Sequence, residues 1–154
     1  MKTLMTVTLL GLGLVLATPA WAHAEGRRCS IQSIAGAWVF GTDVGQQKIL
    51  PGGDITAIGT MNIDREGNVS GKFDVTVAEF GFFPNITYTG SVTVNPDCTG
   101  TLTFVTSLGT SRTDSIAVLG RTELWFMSQD PSNLWTGRAR RISGPDDKSD
   151  DKDD

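Results

Sequence analysis

From Ile86 to Val94 the chain alternates without a break. Ile86, Tyr88, Gly90, Val92 and Val94 fall on one side, and Thr87, Thr89, Ser91 and Thr93 on the other. A period of two is the mark of a half-solvated β-strand, because successive side chains point to opposite faces of a sheet. The same period runs through Val69–Glu79, where Val69, Gly71, Phe73, Val75 and Val77 share a face. It recurs through Asp54–Ile63, with Ile55, Ala57, Gly59, Met61 and Ile63 together. Further strands are expected at Ala35–Gly41, Thr101–Thr106, Ser115–Leu119, Glu123–Ser128 and Leu134–Ile142. Turn-forming residues separate them at Asp64–Asn68, Asn95–Gly100, Ser107–Asp114, Gly120-Arg121 and Gln129–Asn133. No segment sustains a helical period, although Ser30–Ile34 suits a single helical turn.

Eight consecutive strands with short links predict an all-β fold, an eight-stranded antiparallel up-and-down barrel. Closure removes the exposed edges that invite aggregation. A two-sheet sandwich fits the same periodicity. An eight-stranded barrel has an interior just wide enough to be filled by side chains or to hold one small ligand. Gly59, Gly71 and Gly90 fall on the inward faces, where they let strands bend or leave room beside bulky neighbours.

Residues 1–24 have the layout of a cleaved signal peptide: Lys2, an apolar run over Leu4–Ala17, and two A-x-A sites ending at Ala22 and Ala24. Cutting after Ala24 is favoured. The apolar run is too short for a membrane span, which needs about 20 residues, so export without membrane insertion is expected, to the periplasm or outside the cell. One barrel domain is assigned to residues 25–143 and a disordered acidic tail to 144–154. The tail holds six aspartates and two lysines and nothing apolar to bury. Residues 25–143 carry eleven acids and ten bases, a near-neutral body with no basic footprint for nucleic acid.

Cys29 and Cys98 are the only cysteines. In an oxidising compartment one disulfide is the economical reading, worth about 4 kcal/mol on the chain-entropy model for so long a loop. The sole histidine, His23, sits in the cleavage region. Without it, Ser-His-Asp and Cys-His arrangements are excluded, as are histidine zinc sites. No metal site and no cofactor are expected, and no phosphate-binding glycine loop is present.

Gly36-Ala37-Trp38 at the start of the first strand and Leu134-Trp135-Thr136-Gly137-Arg138 near the end resemble the calycin group of barrels, which includes lipocalins and avidins. The resemblance implies that Trp38 closes the barrel floor and that Arg138 or Arg140 packs across it. The chain has no T-D-x-Y motif of the kind many lipocalins carry mid-barrel. The run Val94-Asn95-Pro96-Asp97-Cys98-Thr99-Gly100-Thr101-Leu102-Thr103-Phe104, followed by Glu123-Leu124-Trp125-Phe126 and Thr136-Gly137-Arg138-Ala139, is similar to exported bacterial barrels of the allene-oxide-cyclase-like group. That resemblance implies a pocket that folds a flexible apolar substrate with few polar groups. It implies no particular catalytic residue.

The best local hint of a site is Phe80-Gly81-Phe82-Phe83-Pro84, too apolar for a solvated hairpin. It can cap the barrel mouth, contact a partner or fold into the core. Glu79 beside it is a candidate general acid or an exposed rim carboxylate, and Glu123 is the other carboxylate of interest. Tyr88 supplies one orienting hydroxyl. Phe82, Phe83, Glu79, Tyr88, Trp38 and Gly90 form the candidate ligand-binding set, with Trp38 at the far end and Gly90 leaving space. Three functions follow: a barrel binding a small apolar ligand, a cyclase acting by pocket shape, or a protein-interaction module that uses Glu25–Arg28 as an inhibitory arm. The first needs a cavity, the second a cavity with a carboxylate or tyrosine at its centre, the third a filled barrel.

Overall fold

The computed structural model describes residues 28–47 and 53–144. The expected signal peptide, most of the Glu25–Arg28 arm and all but the first residue of the acidic tail lie outside them. A one-turn helix, α1 (Ile31–Ile34), precedes eight strands: β1 (Gly36–Gln47), β2 (Gly53–Ile63), β3 (Asn68–Val77), β4 (Gly81–Val94), β5 (Thr99–Thr106), β6 (Ser111–Leu119), β7 (Glu123–Ser128) and β8 (Asn133–Ser143). Each pairs antiparallel with its sequence neighbours, and β1 pairs with β8 to close the barrel. The barrel and not the sandwich is therefore the fold. Phe40 stands at the seam, opposite Gly59 of β2 and Ala139 of β8.

The alternating residues fall as their period demands. Ile55, Ala57, Met61 and Ile63 are buried on β2, Val69, Phe73, Val75 and Val77 on β3, and Ile86, Tyr88 and Val92 on β4. Three strands extend by four residues or more beyond their expected bounds. β1 runs on to Gln47, because closing the barrel requires it to pair along both edges. β4 begins at Gly81, so the phenylalanine-rich segment is strand and not loop, with Phe82 opposite Thr76 and Phe83 opposite Val75. The turn itself is Ala78–Phe80, where Glu79 adopts φ +68°. A bulge follows at Asn85, whose backbone N–H donates to Asp74 Oδ1. Finally, β6 begins at Ser111, which brings Arg112 and Asp114 out of the expected turn and onto a strand.

Inward glycines sit opposite large side chains: Gly59 faces Phe73, Gly71 faces Tyr88, Gly90 faces Phe104 and Gly137 faces Phe126. At Gly71 the Tyr88 ring occupies the place of a side chain, and at Gly137 the Phe126 ring does. At Gly90 the neighbouring strand itself is too close, with Phe104 Cα 2.7 Å from where a Cβ would stand. The aromatic rings thus fold down onto glycine floors, which is how so many of them fit inside a barrel of this size.

One end of the barrel is sealed. Trp38 is fully buried and donates from Nε1 to the Ile34 carbonyl, 2.9 Å away, which ties α1 across the opening. Arg141 lies over the Trp38 ring, 5.9 Å from its centroid, and donates to the carbonyls of Ser33, Ala35 and Ser143. The basic residue packed on the floor tryptophan is therefore Arg141, not Arg138 or Arg140. Arg141 continues the inward alternation of Trp135, Gly137 and Ala139 and stands opposite Trp38, whereas Arg138 and Arg140 fall on the outer face. Arg138 points outward, over the Trp125 ring and 3.4 Å from Asp43. The expected disulfide joins Cys29, just before α1, to Cys98 in the β4–β5 turn. No helix among the described residues is long and apolar enough to cross a membrane.

Candidate functional site

The centre of the barrel is filled. Phe40, Phe73, Tyr88, Phe104, Phe126 and Trp135 form a continuous ring cluster with centroid separations of 5.2 to 6.4 Å. They leave a cavity of about 30 Å³, room for a water or two at most. Tyr88 lines it with its ring. The hydroxyl donates to the Thr60 carbonyl in the wall, 3.1 Å away, and burial pushes its pKa well above the usual phenol value.

Beyond Phe73 and Trp135 the barrel opens into a cup of about 210 Å³. Its wall includes Val75, Val77, Phe83 and Ile86 from β3 and β4, together with Leu108, Arg112 and Trp135. The rim is apolar and solvent-facing: Phe83 is 40% and Leu108 67% exposed. This end collects the buried polar side chains Thr106, Asp114, Ser128 and Asn133. Two of them serve the turns. Thr106 Oγ1 accepts from the backbone N–H of Leu108 and Thr110, and Ser128 Oγ accepts from that of Asp130.

Asn133 donates from Nδ2 to Asp130 Oδ2, which leaves Asp114, with the half-buried Arg112 beside it. Asp114 is 1% exposed, and its Oδ1 accepts from Trp135 Nε1 at 3.0 Å. Burial raises its pKa to about 6, against the pull of the Trp135 hydrogen bond and the Arg112 charge. The Arg112 guanidinium stacks over the same indole, 4.3 Å from the ring centroid. Burial lowers its pKa, while the charges of Asp114 and Asp130 hold it up. Asp130 spends its own carboxylate on the Ser132 N–H and on Asn133 Nδ2.

Of the six residues expected from sequence, Tyr88 lines the inner cavity and Phe83 the cup. The structure does not bring the other four to either space. Phe82 is 62% exposed on the outer face, Glu79 lies in the exposed turn, Trp38 is in the floor and Gly90 is packed against β5. Glu123 accepts from Trp125 Nε1 on the outer surface. Sequence reasoning misses Arg112 and Asp114, because Ser107–Asp114 reads as a turn. The signal that finds them is the inward parity of Ile116 and Val118, carried back along the same strand.

No family model matches this chain, and no curated protein does. Solved structures of designed barrels share the fold. A de novo designed fluorescence-activating β-barrel is 15% identical with a TM-score of 0.52, over 73% of this chain and 96% of its own. The redesigned barrel mFAP1, bound to DFHBI, is 21% identical at a TM-score of 0.52, over 73% of this chain and 98% of its own. The redesigned mFAP0, also bound to DFHBI, is 23% identical at 0.50, over 71% and 100%. At such identities the likeness shows the eight-stranded barrel alone, and kinship with calycins or cyclase-like barrels is not shown.

Proposed function

We propose that this is an exported barrel that binds a small apolar molecule, held in the cup at the open end and not along the whole axis. The observation that carries this reading is the cup itself: about 210 Å³ of apolar-walled space at the one end that α1 and Trp38 do not seal. Ligand sites are concave, largely apolar and provided with few polar groups, and those for drug-sized molecules measure about 300–1,000 Å³. The present cup is smaller, which suits a compact ligand or the end of a longer one. Two similar barrels are bound to DFHBI, a support at the level of architecture only. The disulfide is consistent with an oxidising compartment.

Trp135 lines the cup, so binding should change tryptophan fluorescence. A panel of small apolar compounds titrated into the protein tests the reading, with Thr110→Phe, at a residue that also lines the cup, as the control that narrows it. Quenching or enhancement that saturates in the parent and weakens in Thr110→Phe is expected. If nothing on the panel binds and no molecule is retained in native mass spectrometry, the reading fails.

A second reading is a protein-interaction surface at the same end, favoured by Phe80 and Phe82, which are 43% and 62% exposed. Crosslinking in the native host that depends on Phe82 and not on Thr110 would select it. The cyclase reading has less support, because the carboxyl nearest the centre, Asp114, lines a space too small for a substrate.

A further inference from the structure

Resting on the cup as a ligand site, we infer the charge of its ligand: a small apolar monoanion, such as a compact monocarboxylate, received by the Arg112 guanidinium at the cup wall. Arg112 is the single charged side chain among those lining the cup. It is half-buried and stacked on Trp135, which fixes the plane of the guanidinium. Among the described residues its side chain has no hydrogen-bond partner and no ion pair, although the planar fork carries five donors. Its two acidic neighbours do not claim those donors. Asp114 accepts from Trp135, and Asp130 accepts from Ser132 and Asn133.

A desolvated cation with unspent donors is costly to keep unless something polar meets it. Here the lining offers only the hydroxyls of Thr106 and Thr110 as side-chain acceptors, neither of them bonded to Arg112, and the donors sit where a ligand's polar end would arrive. Arg matches a carboxylate through two parallel N–H···O bonds, so a planar oxyanion gains both charge and geometry. A cationic ligand finds no such partner, since Asp114 is 1% exposed and does not line the cup. The apolar wall of Val75, Val77 and Ile86 then takes the body of the molecule.

Phenylacetate, phenylacetamide and phenethylamine share one apolar body and differ in the charge of the head. Titration of all three into the unmodified protein at pH 7 and low salt, by calorimetry and tryptophan fluorescence, separates the outcomes without any variant. The acid is expected to bind at least about tenfold tighter than the amide, the scale of one charge-assisted hydrogen bond, and the amine weakest. Arg112→Gln should bring the acid down to the amide and leave the amide within about twofold. Equal binding of acid and amide, or preference for the amine, overturns the anion assignment while the cup remains a ligand site. If none of the three binds and the wider apolar panel also fails, the cup reading falls and this one with it.

Discussion

The indole N–H of Trp135 donates to Asp114 Oδ1 across 3.0 Å, while the Arg112 guanidinium lies 4.3 Å from the centroid of the same ring. One aromatic side chain thus links a buried acid to a half-buried base. It also forms the boundary between the filled centre of the barrel and the open cup. Disturbing any of the three should be felt at the open end before it is felt in the fold as a whole.

Stability should fall as pH rises through the Asp114 titration. The folded-state pKa, about 6, lies above the ordinary value of 3.8. The group's favourable contribution is therefore complete below about pH 4 and lost as pH rises through 6, an effect of roughly 3 kcal/mol at most. Asp64, Asp97 and Asp130 are shifted the other way, down from 3.8, and act only in more acidic solution. Urea unfolding at about pH 4.5 and about pH 7.5 checks the sign. The parent should have the lower midpoint at the higher pH, and Asp114→Asn should flatten the difference.

Arg141→Met is expected to destabilise the protein by about 2–4 kcal/mol, since it strips donors from several carbonyls and uncovers the floor tryptophan. Arg138→Met, on the outer surface, should change stability by less than about 0.5 kcal/mol. Thermal melts of the two variants side by side test which arginine serves the floor.

Gly90→Ala is expected to cost about 1–3 kcal/mol or more, because the new Cβ meets the Thr103 carbonyl and the Phe104 backbone and not an empty space. The loss should register in the unfolding free energy, with ligand affinity of the folded protein little changed. A fully stable Gly90→Ala variant would contradict the close approach of β4 and β5.

Tyr88→Phe should lower stability by about 0.5–1.5 kcal/mol through the Thr60 carbonyl it abandons. Affinity for a cup ligand should stay within about twofold, since the hydroxyl is committed to the wall. A tenfold loss of affinity without loss of stability would place the hydroxyl in the ligand's reach instead.

Replacing both Cys29 and Cys98 by serine should cost about 2–4 kcal/mol. Because the bond holds the segment leading into α1, hydrogen exchange should rise first at Ile34 and Trp38, on the sealed end.

Strand identity and facing were legible in the order of residues, because a period of two is a local property: each residue of Ile86–Val94 declares its face relative to its neighbour. The pairing of the two cysteines followed from there being only two. The floor tryptophan was marked only through the resemblance of Gly36-Ala37-Trp38 to the opener of calycin barrels. What the linear chain did not determine was how far each strand runs, because strand ends are set by the neighbours they pair with. β6 reaches back to Ser111 since β5 offers it partners, and that extension turns Arg112 and Asp114 from turn residues into inward ones. Arg141, unlike Arg138 and Arg140, alternates in phase with Trp135 and Ala139, but that it lies over Trp38 was decided by the β1–β8 pairing, which sets the two residues opposite each other. Whether the barrel was hollow was likewise a question of three dimensions. The same glycines that suggest empty space in sequence, Gly59, Gly71 and Gly90, stand opposite Phe73, Tyr88 and Phe104, so the centre is packed and the room is at the rim.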